Sequence, residues 1–162
     1  MKALLIAALA LAPALSFAAP AKTMSAEDAI KAEFTEFNAA WAKGDAKKLA
    51  SFWTEDGTII NPVGVEGKGR AEIEKVISTD MSTFLKGAKA ELKVDKVYSI
   101  NDSTVFADCT HEMTNMHGPD GKAMPNMNAH VVALAVKQND KWMWAHVRPY
   151  FFMPKPAAHT MK

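Results

Sequence analysis

Two stretches of this chain decide its fold. Residues 37–73 read FNAAWAKGDAKKLASFWTEDGTIINPVGVEGKGRAEI, and residues 131–147 read VVALAVKQNDKWMWAHV. The first contains a helix stop followed by a helix cap at Gly44–Asp45, and then a short β-forming run, Thr58–Asn61, that ends at a proline. The second contains two β-forming runs separated by the turn pair Asn139–Asp140. These patterns predict helices, a strand and, later, a hairpin.

The N-terminal half is predicted to be mainly helical. Ser25–Asp28 reads SAED, a capping box that satisfies the first free amides of a helix, so a first helix should begin there. The apolar residues that repeat at helical spacing along it are Ile30, Phe34, Phe37 and Trp41. The other predicted elements are a short helix through Leu49, Phe52 and Trp53, a turn at Glu55–Gly57, and a helix over 71–85 that carries Ile73, Val76, Ile77, Met81 and Phe84 on one side.

The C-terminal half changes to the two-residue period of strands. Four segments, ELKVDKVYSI, TVFADCTHEMTNM, NAHVVALAVK and KWMWAHVRPYFF, are rich in β-forming residues and are separated by turn pairs. They should pair as an antiparallel meander. Helices in the N-terminal half followed by hairpins in the C-terminal half indicate an α+β fold, in which the helices cover one face of a curved sheet.

The N-terminus reads as a secretory signal peptide. Lys2 precedes an apolar run from Ala3 to Leu15, and Ser16-Phe17-Ala18 supplies a cleavage site. The run is shorter than the roughly 20 residues that span a bilayer. We therefore expect a signal peptide at 1–18, a linker at 19–24, one domain at 25–153 and a flexible tail at 154–162. The mature protein is expected in the periplasm or outside the cell, with no membrane attachment after cleavage.

Charge and motif content exclude several classes of partner. The chain has 19 Lys and Arg against 18 Asp and Glu, and removal of Lys2 with the signal peptide makes these equal. Because nucleic-acid binding needs a clustered basic surface, no nucleic acid is expected. No dinucleotide fingerprint follows a strand, and the loop GVEGKGR lacks the order of a phosphate-binding loop, so no cofactor is expected. The single cysteine, Cys109, is predicted to be a buried structural thiol.

The order and spacing of the two quoted stretches resemble the nuclear-transport-factor-2-like superfamily, in its branch of SnoaL-like proteins and ketosteroid isomerases. The final strand pair, an apolar run, a polar turn, a tryptophan and a histidine, is similar to the SgcJ/EcaC group. The resemblance implies a cone-shaped domain whose strongly curved antiparallel sheet encloses a pocket. It also implies a homodimer in which two copies pack sheet to sheet.

The resemblance also lets the isomerase roles be sought by position. That chemistry uses an aspartate base and an oxyanion hole made of a tyrosine and a protonated aspartic acid. The base position is Asn61 here, the tyrosine position is Phe37, and the acid aligns near Ala129 or His130. An amide cannot accept the proton, so isomerase catalysis by this route is not expected. This interpretation requires a cavity beneath the sheet and no acidic side chain reaching the place of the missing base.

Asn61 has two compatible interpretations. Asparagine before proline is a common turn residue whose side chain binds nearby backbone. The resemblance also places this corner at the mouth of the pocket, where the amide would select a polar group of a ligand. Trp53, ending the second helix, and Tyr150, closing the last strand, are the aromatic residues predicted to lie at the same mouth.

Histidines on three predicted strands are the other candidate site residues. They are His111, His130 and His146. The first two alternate with apolar residues, which suggests an interior position. If they converge, they could bind a ligand, relay protons or hold zinc. A buried histidine held only by the core is the alternative for each.

A segment rich in methionine and histidine suggests copper instead. Its soft ligands are Met113, Met116, His117, Met124 and Met127. Thioethers and imidazoles together favour Cu(I). The alternative is that these methionines fill an apolar core or line an adaptable pocket.

The leading hypothesis is an exported SnoaL-like domain that binds a small, largely apolar molecule. One alternative is an enzyme that uses His130 or His146 as general base. A second is periplasmic copper binding through the Met/His segment, and a third is a module that serves only for dimerisation.

Overall fold

A computed structural model describes residues 24–118 and 120–152, so the predicted signal peptide and C-terminal tail lie outside the described residues. The elements are α1 (Ala26–Ala42), α2 (Ala46–Ala50), β1 (Trp53–Ile60), β2 (Glu66–Lys68), α3 (Arg70–Ser82), β3 (Lys89–Asn101), β4 (Thr104–Thr114), β5 (Met127–Gln138) and β6 (Lys141–Tyr150). The predicted α+β class is confirmed. Within the described residues, no helix combines the length and the apolar character needed to cross a membrane.

The six strands form one curved, unclosed sheet in the order β2-β1-β6-β5-β4-β3. The predicted meander is present as β3 to β6, and its neighbours are antiparallel. One pair departs from the prediction, because β1 lies parallel to β6. The short strand β2, in the loop with several glycines, was not predicted and extends the sheet beyond β1.

The first strand begins earlier than the sequence suggested. Trp53 was expected to end the second helix, but it is the first residue of β1. Glu55–Gly57 was expected to be a turn, but it lies inside β1 where the pairing with β6 shifts register. The reason is close packing, because a Cβ on Gly57 would lie 2.9 Å from the Trp53 ring and 3.0 Å from the Trp144 carbonyl oxygen. The absence of a side chain at Gly57 lets the backbones of β1 and β6 approach each other closely.

Helix α1 covers the concave face of the sheet. The Ser25 hydroxyl accepts a hydrogen bond from the Asp28 amide, as the capping box predicts. The helix buries Ile30, Phe34, Phe37 and Ala40, while Trp41 is only partly buried. The side chain of Asn38 fixes the helix to β3. Its nitrogen donates to the Leu92 backbone carbonyl at 3.0 Å, and its oxygen accepts from the Leu92 backbone N–H at 2.9 Å.

The β5–β6 hairpin has the predicted turn and an unpredicted bulge. Asn139 and Asp140 both have positive φ, 49° and 61°, as in the two-residue turns that suit twisted hairpins. Further along, Ala135 pairs with Trp144 and Leu134 pairs with His146, so Ala145 is an extra residue in β6. A bulge of this kind reverses the alternation of every residue that follows it.

Candidate functional site

A cavity lies between α1, α3 and the concave face of the sheet. It opens to solvent at one end. The aromatic side chains that line it are Phe34, Phe37, Trp41, Trp53, Phe84, Trp144 and Phe151. Small residues of β5, Ala129 and Ala133, form its floor. A mostly apolar wall with few polar groups is typical of sites for small molecules.

Only a few polar side chains other than indoles reach this cavity from the described residues. They are Asn61 at the end of β1, Asp80 in α3, and Cys109 and His111 in β4. Cys109 behaves as predicted, because burial raises the pKa of its thiol to about 12 and keeps it protonated. The chemistry of the cavity therefore rests on Asn61, Asp80 and His111.

Asn61 binds both the loop that follows it and an acid. Its side-chain oxygen accepts from the amides of Val63 at 3.2 Å and Val65 at 2.8 Å. Its side-chain nitrogen donates to the Asp80 carboxylate, at 3.0 Å from Oδ1 and 3.3 Å from Oδ2. The turn interpretation and the cavity interpretation of Asn61 thus both describe its position.

Asp80 corrects the sequence interpretation. Base catalysis was excluded on the condition that no acidic side chain lies near Asn61. The Asp80 carboxylate lies there, so that condition is not met. Burial raises the pKa of Asp80, while the hydrogen bond from Asn61 acts in the opposite direction. A signal for this residue exists in the sequence: Asp80 follows Ile73 by seven residues and Ile77 by three, which places it on the buried stripe of α3.

His111 lies in the cavity as a neutral imidazole. Its ring meets the Trp41 ring edge to face, with centroids 4.9 Å apart. Burial lowers its pKa from 6.5 to about 4. It is therefore uncharged near neutral pH and could donate one hydrogen bond and accept another, but it is a poor base.

The other candidate residues, His130, His146 and Tyr150, do not line the cavity, and the interior position expected for His130 is not the one it occupies. His130 packs against Tyr150 and Phe152 on the outer face, with ring centroids 5.7 and 4.3 Å away. His146 is exposed, and its Nδ1 lies 2.9 Å from the Thr58 hydroxyl. The bulge at Ala145 turns His146 outward, and the residues next to His130 on its own face, Val132 and Leu134, are half-buried on the outer face rather than in the interior.

The Met/His segment is divided between the core and the surface. Met113 and Met116 are buried with Leu85 and Ala129 in a small apolar cluster, against which Met127 packs. His117 and Met124 are exposed. In the part of the chain that the structure describes, no group of three His, Cys, Asp or Glu side chains is arranged to hold a metal ion.

Comparisons with known proteins agree on the fold. A family model described as a SnoaL-like domain matches residues 30–148. An uncharacterised protein of cystatin-like fold from Caulobacter vibrioides is 26% identical, with a TM-score of 0.68, and the match covers 79% of this chain and 90% of the other. No curated protein matches the chain.

Two further solved structures carry names that refer to enzymes. A ketosteroid isomerase-like protein from Erwinia carotovora atroseptica is 16% identical, with a TM-score of 0.65 over 78% of this chain and 95% of that one. A candidate scytalone dehydratase from Novosphingobium aromaticivorans is 14% identical, with a TM-score of 0.63 over 77% of this chain and 83% of that one. At these identities the likeness concerns the fold alone.

Proposed function

The chain belongs to the family of SnoaL-like domains, and on that premise we propose that it binds one small, largely apolar molecule in the cavity beneath its sheet. The observation that carries the proposal is the aromatic wall of the cavity, which is open at one end and interrupted by few polar groups. Asn61, Asp80 and His111 would orient the ligand. Burial of its apolar surface would supply most of the affinity.

The proposal is tested by filling the cavity. Ala129→Leu adds a branched side chain to the floor, whereas Asn128→Leu makes an equally large side chain at the neighbouring exposed position of β5. The probe is 2-naphthol, and binding is followed by quenching of the tryptophans that line the cavity. The wild type and the Asn128 variant should bind it, and the Ala129 variant should lose at least about tenfold in affinity. Equal binding by all three proteins, or by none, would contradict the proposal.

A second candidate function, proton transfer, is favoured by the position of Asp80. A carboxylate at the cavity wall could remove a proton from a carbon next to a ligand carbonyl; the C–H electron pair would form the enolate, and the proton would return from Asp80. This replaces His130 and His146 as the proposed bases. Exchange of solvent deuterium into 2-tetralone, followed by NMR, tests it: the wild type should accelerate exchange and Asp80→Asn should not. Exchange at the buffer rate with the wild type would exclude this role.

We also propose that two copies associate through the outer face of the sheet, as the resemblance implied. The support is a set of exposed apolar residues on this face, Tyr98, Tyr150 and Phe152, beside the half-buried Phe106 and Leu134. Sedimentation equilibrium should give a dimer for the wild type and a monomer for Leu134→Lys. A wild type that stays monomeric at high concentration would refute this proposal.

A further inference from the structure

We propose that the cavity is selective for an organic cation, a protonated amine on an aromatic or alicyclic body, and that Asp80 is the residue that binds its charge. This inference rests on the proposed function, because it requires that the cavity take up a small molecule.

The first argument is the charge of the cavity wall. Asp80 is the one charged side chain that lines the cavity among the residues described, where neither a lysine nor an arginine reaches it. Within the same residues Asp80 forms no salt bridge, and its side-chain partner is the neutral amide of Asn61. A carboxylate that is partly removed from water without a counter-charge is costly. A cationic ligand would supply the missing charge.

The second argument is the position of Asp80 within its helix. It lies in the last turn of α3, where the helix dipole places partial negative charge, and this turn contains no basic residue. The dipole and the burial both disfavour the ionised acid. The dipole would favour a bound cation, since the carbonyl end of a helix attracts positive charge.

The third argument is the number of acceptor sites that Asp80 retains. An ionised carboxylate has about four lone-pair sites, and the single Asn61 nitrogen, which donates to both oxygens, occupies at most two of them. Asn61 is itself fixed by the amides of Val63 and Val65, so it holds the carboxylate in one orientation at the cavity wall. The remaining acceptor sites can take the N–H donors of an ammonium group.

The aromatic wall favours the same ligand. The faces of tryptophan and phenylalanine rings attract cations that lie within about 6 Å of the ring centre. Phe84 follows Asp80 by four residues and lines the cavity, as do the indoles of Trp53 and Trp144. A neutral apolar ligand would use the same rings but would leave the carboxylate desolvated and unpaired.

The experiment compares three probes of one shape and different charge: 2-phenylethylamine, 2-phenylethanol and phenylacetate. Titration calorimetry with the wild type at pH 7 should give an amine affinity at least about tenfold above that of the alcohol, and the weakest binding for phenylacetate. Asp80→Asn keeps the size of the side chain and should bring amine and alcohol to within about threefold of each other. Asp102→Asn, in the exposed turn between β3 and β4, makes the same change of charge away from the cavity and should behave like the wild type.

The outcomes separate the two proposals. If the alcohol binds as tightly as the amine to the wild type, the cation inference is wrong while ligand binding stands. If none of the three probes binds, both fail. The ratio of amine to alcohol affinity in the wild type decides the question even if Asp80→Asn does not fold, and circular dichroism identifies that case.

Discussion

Replacing His111 should make the protein less sensitive to acid. Because burial lowers the pKa of His111 from 6.5 to about 4, the unfolded chain takes up a proton at a higher pH than the folded protein does. The stability from the neutral imidazole is fully present above pH 6.5 and is lost as the pH falls toward 4. For these two values, linkage gives a loss of about 2 kcal/mol between pH 7 and pH 5.

The groups around His111 support this assignment. Trp41 from α1, Leu92 from β3 and Ala129 from β5 surround it, and none of them titrates. Cys109, the neighbour on its own face of β4, has a pKa raised to about 12 and stays neutral in acid. Burial raises the pKa of Asp80, so this carboxyl group takes up its proton at a higher pH in the folded protein than in the unfolded chain. Protonation of Asp80 therefore favours the folded protein as the pH falls, which is opposite in sign to the effect of His111.

The assay is urea denaturation at pH 7, 6 and 5, followed by circular dichroism at fixed protein concentration. His111→Gln removes the titrating group and keeps a polar side chain, and His146→Gln makes the same change at an exposed position. Between pH 7 and pH 5 the wild type and the His146 variant should each lose about 2 kcal/mol more than the His111 variant. Parallel losses in all three proteins, to within about 0.5 kcal/mol, would show that folding does not lower the pKa of His111.

Three more outcomes follow from contacts described above. Asn61→Ala should lower the free energy of unfolding by about 2 to 4 kcal/mol in urea melts, because it leaves the Asp80 carboxylate and two loop amides without their partner. Cys109 should resist Ellman's reagent at pH 8 in the native protein and react on unfolding, since burial raises its pKa to about 12; a fast native reaction would contradict its position. Gly57→Ala should lower stability by about 1 to 3 kcal/mol, because its Cβ would lie 3.0 Å from the Trp144 carbonyl oxygen, and an unchanged melting temperature would contradict that packing.

The sequence predicted the fold because its strongest patterns are local. The cap at Ser25, the apolar stripe of α1 and the turn at Asn139–Asp140 each depend on a few adjacent residues, and each is present. The parallel pairing of β1 with β6 was beyond such reasoning, since it joins segments about ninety residues apart. Local patterns do not specify which strands become neighbours.

The site was harder to predict, for two physical reasons. Strand alternation assigns faces only if no residue is inserted, and Ala145 reverses the faces of everything after it in β6. The outer face near His130 also carries apolar residues, so hydrophobic neighbours did not distinguish inside from outside. The apolar residues of the α3 stripe predict packing and not a site, so Asp80 is distinguished only by being an acid on a buried stripe, which is itself a signal of a polar site.

The Thr58 hydroxyl helps to decide which residues of β6 face the cavity on the opposite side of the sheet. It lies 2.9 Å from His146 Nδ1 and accepts a hydrogen bond from Arg148 at 2.9 Å. Sliding the end of β6 by one residue would break both bonds and point an imidazole and a guanidinium at the aromatic wall, in exchange for Val147 and Pro149. The two hydrogen bonds of the Thr58 hydroxyl thus help to hold the register that keeps the Arg148 guanidinium on the outer face of the sheet, away from the aromatic wall of the cavity.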